Sequence, residues 1–519
     1  MIFFKKHMQN SLLANVKTLA IVCNQWGDTG KGKFVDYFTP WADIIARGAG
    51  GANAGHTIIK DNRKIVVHLL PSSVLYDREG KVSIIGRGVA FDPIQCLAEL
   101  REVNSFLGHQ PQNLKISYQA KLVLPQHILM DRLRESGGSN NKIGTTGRGV
   151  GPCYTDFYAR IGLTVNDMLH KDLFVKKFRK NLSEKMTVLR SYESSLIKNI
   201  LNIPILENGM FFDEKNIINE EAIVHQYCEV YAKQLQQYIS DTDNFLRENI
   251  GKKNVILEGA QGLLLSIDYG SYPYVTSSDP SIEGLVHGVG LKEKDVDMTL
   301  GIVKAFFMTR VGLGPFPTEF GGVAGEQYTY DNNQSSEMRD CVTATVNDTD
   351  ELRQGCAIRI KGNEYGATTG RLRRVGWLDL TLLRYAIKVN GHDLILTKID
   401  ILDECNEIKI CTAYEYIGVD YLFGGQKIVA GHKFTVAPMD IEILSACKPV
   451  YAVFPGWKRD ITKMREQGEL PVELTNILDF IEKETGAHVK ILSVGAGADE
   501  TIIYEEVKES VSAPLMLVS

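Results

Sequence analysis

The sequence predicts an α/β protein, one large domain built on a central, mostly parallel β-sheet with P-loop-like nucleotide loops. Three observations lead there. Strand and helix signals alternate along the chain, the pattern of a parallel sheet covered by helices. Glycine-rich stretches follow strand signals, at 27–33, 48–57, 144–152 and 366–377. Polar pairs stand where strands end, Glu258 with Gln261 and Lys398 with Asp400, and open α/β sheets bind ligands at that edge.

The first strand organises the rest. An apolar run from Ala20 enters Gly27, Gly30 and Gly32, and an apolar stretch from Phe34 reads as a helix start. Glycines let backbone N–H groups turn toward an anion, the helix start adds its positive end, and Lys31 and Lys33 can reach phosphate oxygens. Gly27 to Lys33 fits G-x-x-x-x-G-K, but Phe34 stands where a P-loop places its Mg²⁺-binding hydroxyl. The metal therefore needs another ligand, and Asp28 is the candidate. A single loop of this kind can be only a turn; the second cluster, Gly48-Ala-Gly-Gly-Ala-Asn-Ala-Gly-His-Thr57, argues otherwise.

Composition bounds the class. A chain of 519 residues with 44% hydrophobic and 23% charged content is an ordinary globular protein with room for a large core. A net charge of −5 offers no field for nucleic acid or an anionic membrane, so neither partner is expected. Nine cysteines without C-x-x-C pairs point to reduced thiols in the cytoplasm rather than disulfides or zinc. No apolar run approaches the roughly 18 residues of a membrane span. Residues 1–17 lack an h-region and read as a frayed extension.

Gln25-Trp-Gly-Asp with Gly30-Lys-Gly-Lys33, followed by Gly51-Ala-Asn-Ala-Gly-His-Thr57, resembles the adenylosuccinate synthetase family, purine-pathway enzymes that join IMP to L-aspartate using GTP. The resemblance implies a domain over 18–505, with a tail at 506–519 and what read as insertions near 202–216 and 320–362.

In chain order, Lys64–Leu70 and Lys81–Gly86 read as strands and Asp92–Leu100 as a helix opened by Asp92-Pro93. Leu114–Leu124 reads as a strand, Ile128–Ser136 as a helix and 137–142 as a flexible loop. Thr145, Thr146 and Arg148 suit a phosphate monoester, and Arg160 follows. The resemblance makes this the IMP phosphate loop, with Thr146 binding IMP and Arg160 reaching the other subunit's site in a homodimer. Thr155-Asp-Phe157 replaces the family's usual Glu-Asp-Lys there. Residues 161–250 read as helical and charged, without a site.

Lys253–Gly262 reads as a strand delivering Glu258 and Gln261. Gln261 could merely satisfy nearby backbone; the resemblance, through Asp268–Ser278, implies IMP contacts from Gln261 and Thr276. Asp279–His287 departs from the family, Met298–Arg310 reads as one long strand, and 320–362 as a solvated insertion. Arg371, Arg373 and Arg374 could be a solvated basic face or a bidentate holder of a dicarboxylate. The resemblance implies the second: Ala367, Thr368, Thr369, Gly370, Arg371 and Arg373 bind aspartate, with Arg371 also touching IMP and Arg373 GTP. Asp379–Asn390 is an amphipathic helix ending at Gly391.

Asp393–Asp400 is a strand ending in Thr-Lys-x-Asp. Its carboxylate can accept the N1–H and exocyclic amine of guanine while the lysine stem covers the base. The resemblance places GTP on Gly27, Gly30, Lys31, Gly32, Lys33, Gly55, His56, Thr57, Lys398, Ile399, Asp400, Ser493, Val494 and Gly495. It places IMP on Asp28, Lys31, Asn53, Ala54, Gly55 and His56. Gly495-Ala-Gly-Ala-Asp499 departs from the family's guanine-side wall.

The family's chemistry implies that Asp28 takes the N1 proton of IMP and binds Mg²⁺ with the Gly55 carbonyl, while His56 hydrogen-bonds the transferring phosphoryl group. The O6 of hypoxanthine attacks the γ-phosphate, and aspartate's amine displaces phosphate from 6-phosphoryl-IMP. Such a transfer asks mainly for in-line positioning and charge neutralisation. Thr29, where the family carries Glu, leaves two alternatives: a relative acting on another purine nucleotide or amino acid, or a non-catalytic GTP-binding regulator.

Overall fold

The computed structural model describes residues 12–60, 63–136, 144–189, 191–192, 219–366 and 370–504. The expected flexible loop at 137–142, the detour at 202–216 and the tail at 506–519 lie outside them.

The central sheet is built from β1 (Thr18–Cys23), β2 (Ile44–Arg47), β3 (Val82–Ile85), β4 (Leu114–Ser117), β5 (Ile239–Ser240), β6 (Val255–Glu258), β7 (Met298–Lys304), β8 (Asp393–Thr397), β9 (His488–Ser493) and β10 (Thr501–Ile503). Their order is β10-β9-β8-β7-β1-β6-β2-β3-β4-β5. Every pair is parallel except β9 with β10. Every residue of β1 is buried because helices and loops cover both faces, which is why it reads as an unbroken apolar run. The chain leaves β1 toward β2–β5, returns through β6, then crosses β1 to β7–β10. The crevice at a parallel sheet's carboxyl edge opens at such a reversal, here beside β1, β6 and β7.

Helix Lys31–Phe38 follows β1 and packs Phe34, Val35 and Phe38 against Ile21, Ile45 and Ile302. It starts at Lys31 rather than Phe34, because Gly30, left-handed at φ 85°, turns the chain into it. Helix Pro93–Leu107 runs a further seven residues past Leu100, capped by Asp92 and closed by left-handed Gly108. Asp379 caps helix Leu380–Asn390.

Several expectations need correction. Met298–Arg310 is not one strand: β7 ends at Lys304, and Phe307–Arg310 joins a second sheet with Arg374–Asp379. Both pieces are buried, so hydropathy carries no mark of the change of sheet. Leu114–Leu124 breaks at a turn closed by the Ala120 N–H on the Ser117 carbonyl, after which Lys121–Leu122 pairs with Ala90–Phe91. The 320–362 stretch forms helices Gly322–Asp331, Gln334–Asp340 and Glu351–Gly362. It is no simple solvated surface: Arg359 meets Glu337 at 2.6 Å in a buried pair, and Tyr365 Oη donates to Glu337 at 3.0 Å. The extension is not frayed throughout, since Leu13 is only 4% exposed and packs beneath β1. Among the described residues no helix is long and apolar enough to cross a membrane, and all nine cysteines are unpaired.

Candidate active site

Three loops meet at the carboxyl edge of β1, β2 and β6. Gln25 ties the first to β7, donating to the Lys304 carbonyl at 3.2 Å and accepting the Lys304 N–H at 3.0 Å. The chain then coils through left-handed Gly27, Asp28 and Gly30, at φ 84°, 55° and 85°. A left-handed aspartate is uncommon, and such conformations cluster at functional sites. Any side chain at Gly262 would put a Cβ 2.2 Å from the Gln25 carbonyl, so only glycine lets the β6 end press against this loop.

The IMP-side candidates converge. Buried Lys31 donates to the Gln261 carbonyl. Gln261, itself left-handed, donates through Nε2 to Asn53 Oδ1 at 2.9 Å, and Asn53 accepts the Gly51 N–H at 3.1 Å. The Gln261 Oε1 is buried without a hydrogen-bond partner. His56 opens a strand, His56–Lys60, and places Nδ1 against Glu258 Oε1. Burial pulls the His56 pKa down, Glu258 opposes this, and Arg47 and Lys31 add to it. Ala54 is buried and Gly55 exposed beside it. The Thr57 backbone continues the strand.

Asp28 pairs with Arg373 at 2.8 Å, the two side chains 41% and 17% exposed. Desolvation by the loops works against the charged carboxylate, but Arg373 and Lys304 outweigh it and hold the pKa well below the usual range. Lys304 itself is fully buried, bonded to Thr309 Oγ1 at 2.8 Å and to Glu364. Thr29 is 1% exposed with its hydroxyl unpartnered, its carbonyl accepting from Thr397 at 3.0 Å.

Lys33 departs from expectation. It does not lie beside Lys31 over the loop; its Nζ donates to Ser493 Oγ at 2.7 Å and to the Gly495 and Glu500 carbonyls at 2.8 and 3.0 Å. Residues 31 and 33 lie about 200° apart around a helix, so their side chains diverge. Lys33 thus joins the first loop to the turn after β9, where the Glu500 carboxylate accepts the Gly497 N–H. Val494 is buried, and its N–H donates to the Glu500 carbonyl at 3.1 Å. Lys398, left-handed at φ 63°, donates to the Gly362 carbonyl at 2.5 Å. Ile399 is buried, and burial raises the pKa of Asp400 while Lys398 opposes it.

The arginine loop divides its labour. Arg374 is structural: buried, it bonds Glu319 through Nε at 2.8 Å and Nη2 at 2.5 Å. Arg373 faces Asp28, and Arg371 is exposed, its backbone bridged to Asn333. Gly370 is left-handed at φ 62°; Ala367, Thr368 and Thr369 lie outside the described residues. Removing one member of a buried pair costs about 3–5 kcal/mol, so Arg374→Ala should lower the urea midpoint sharply. Arg371→Ala should shift stability by no more than about 0.5 kcal/mol.

The phosphate-loop candidates sit farther out. Thr146 is exposed, and Arg148 donates to Gln95 Oε1 at 2.8 Å rather than standing free. Arg160, left-handed at φ 64°, is exposed just beyond helix Val150–Tyr158. Thr276 is half-buried, its N–H on the Leu265 carbonyl at 2.8 Å. Among the described residues no group of three or more His, Cys, Asp or Glu side chains could hold a metal. One carboxylate and a carbonyl nonetheless suit Mg²⁺, which takes one or two carboxylates plus substrate phosphates.

Comparison with known proteins identifies the family. The family model for adenylosuccinate synthetase matches residues 20–502. The adenylosuccinate synthetase of Halothermothrix orenii is 40% identical over 488 residues, 94% of this chain and 98% of its own. That of Chlorobium chlorochromatii is 39% identical over 497 residues, 95% and 99%. The fully ligated adenylosuccinate synthetase from Plasmodium falciparum superposes with a TM-score of 0.75 at 31% identity, covering 95% of this chain and all of that one. The chain belongs to the adenylosuccinate synthetase family.

Proposed function

We propose that the loops at the carboxyl edge form one phosphoryl-transfer and ligation site, with Asp28 and His56 at its centre. The overall reaction is the GTP-dependent ligation of L-aspartate to IMP, giving adenylosuccinate, GDP and phosphate in purine biosynthesis. The observation that carries the placement is the meeting of Asp28, Lys31, Asn53, His56 and Gln261 from three loops in one crevice.

The chemistry follows from these groups. The O6 of IMP is a poor leaving group and must first be phosphorylated. Asp28 accepts the N1 proton as O6 attacks the γ-phosphate; His56 and Lys31 offset the charge on the moving phosphoryl group. Aspartate's amine then displaces phosphate from 6-phosphoryl-IMP. The base side rests on Gln261, Asn53 and Thr276, and guanine on Asp400 beneath the Lys398 stem. Mg²⁺, when bound, would neutralise phosphate charge, and Asp28 with the Gly55 carbonyl would hold it. Arg373 is tied to Asp28 in the free protein; a carboxylate of the incoming aspartate is its alternative partner, so substrate binding frees the base.

Arg160 projects past its helix toward solvent and is assigned to the partner subunit's IMP phosphate in a homodimer. Residues 18–505 are assigned to one domain, and nine unpaired cysteines fit a cytoplasmic setting.

The test is positional isotope exchange. GTP labelled at the β-non-bridging oxygens, incubated with IMP but no aspartate, should scramble its label into the β–γ bridge. Without scrambling, phosphoryl transfer ahead of ligation fails. A second expectation concerns pH. Burial pulls Lys33 down to about 8 against the opposing charges of Glu500 and Asp400. Its positive charge is therefore lost from the free protein as pH rises through that value. The kcat/KM for GTP should fall above pH ~8, and Lys33→Met should remove this limb from the profile.

A further inference from the structure

Glu258 ends β6 fully buried, outside the set of side chains assigned to IMP, GTP or aspartate. Its carboxylate is held from two sides. Ser72 donates its backbone N–H to Oε2 at 3.0 Å and its hydroxyl to Oε1 at 2.8 Å. Oε1 also meets His56 Nδ1. Burial alone would raise the Glu258 pKa, but His56 and then Arg47 hold it below the usual carboxylate range. An ionised carboxylate can only accept, so Nδ1 must carry a hydrogen in this contact. Which imidazole nitrogen is left for other work is set by the bond the first one makes. Arg47, at the end of β2, completes the frame: it is fully buried and donates to the His68 carbonyl at 2.5 Å and the Gly51 carbonyl at 3.1 Å.

We propose that Glu258 is a positioning residue for phosphoryl transfer: clamped by Ser72, it fixes the His56 ring through Nδ1 and, as counter-ion to the imidazolium that an anionic phosphoryl group favours, keeps Nε2–H as the donor presented to the transferring group. This rests on the assignment of His56 to that group. The work lies in orientation. Without the clamp the ring can flip about its Cβ–Cγ bond and offer carbon where nitrogen is needed, losing rate without losing substrate affinity.

A double-mutant cycle tests it. Glu258→Ala should lower kcat by about 10–100-fold, the usual cost of losing a group that orients a functional histidine, with KM for IMP, GTP and aspartate within about threefold. Glu258→Gln keeps an acceptor oxygen for Nδ1–H but sets its NH2 against the Ser72 N–H, and should recover only part of the loss. In a His56→Asn background, Glu258→Ala should change kcat by less than about twofold, because contacting residues that act together are non-additive. An equal loss in both backgrounds would overturn the inference and leave Glu258 as packing. If Glu258→Ala does not fold, Ser72→Ala serves in its place: a smaller kcat loss that vanishes beside His56→Asn supports the clamp, and one that persists refutes it. Near-normal kcat for His56→Asn alone would instead sink the assignment of His56.

Discussion

Asp28→Asn should abolish turnover while leaving nucleotide binding nearly intact. The substitution keeps the side chain's shape in a left-handed loop that already tolerates it. It removes the one group placed to take the N1 proton, and general-base catalysis supplies about 10²–10⁴-fold, so kcat should fall by that factor. The fold should survive, since the Asp28–Arg373 pair is partly exposed and such pairs contribute about 0–1 kcal/mol. IMP and GTP dissociation constants should change by less than about tenfold, or 1.4 kcal/mol. Equilibrium binding beside steady-state rates checks both halves, and near-normal kcat would remove Asp28 from the mechanism.

For Arg373→Ala the expected effect falls on aspartate. Arg373 meets Asp28 beside the first loop, so its present partner is a carboxylate. Hydrogen bonds to charged groups are worth about 1.5–3 kcal/mol, or about 10- to 150-fold, and KM for aspartate should rise by that factor. KM for IMP should move far less. Arg374→Ala should show the reverse, a stability loss instead of a selective KM effect, because Arg374 is committed to Glu319. Equal KM effects at both positions would mean that the loop is read wrongly.

The comparison of these arginines also shows what a sequence can carry. The glycine-rich turn after β1, the broad alternation of strands and helices and the polar residues at strand ends were legible, because glycine spacing and apolar runs are local signals. Which arginine of three pairs with Asp28 was not, since Glu319, the partner of Arg374, lies 55 residues away. Glu258 stood out at its strand end, but its partner His56 is 202 residues away, and only the sheet order brings β6 beside β2. Lys33 fitted a phosphate-binding pattern, yet the helix turns it toward Ser493 and the turn after β9. The helices of 320–362 were missed because polar sequence hides a buried Glu337–Arg359 pair that orders them. Thr29 showed as a departure from the family; that its hydroxyl would be buried without a partner needed the packed loop.

The most direct test follows the ultraviolet change from IMP to adenylosuccinate with GTP, Mg²⁺ and aspartate, and repeats it with ATP in place of GTP and GMP in place of IMP. The site described here predicts turnover with IMP and GTP alone. Turnover with a different pair and none with this one would contradict it, as would silence throughout.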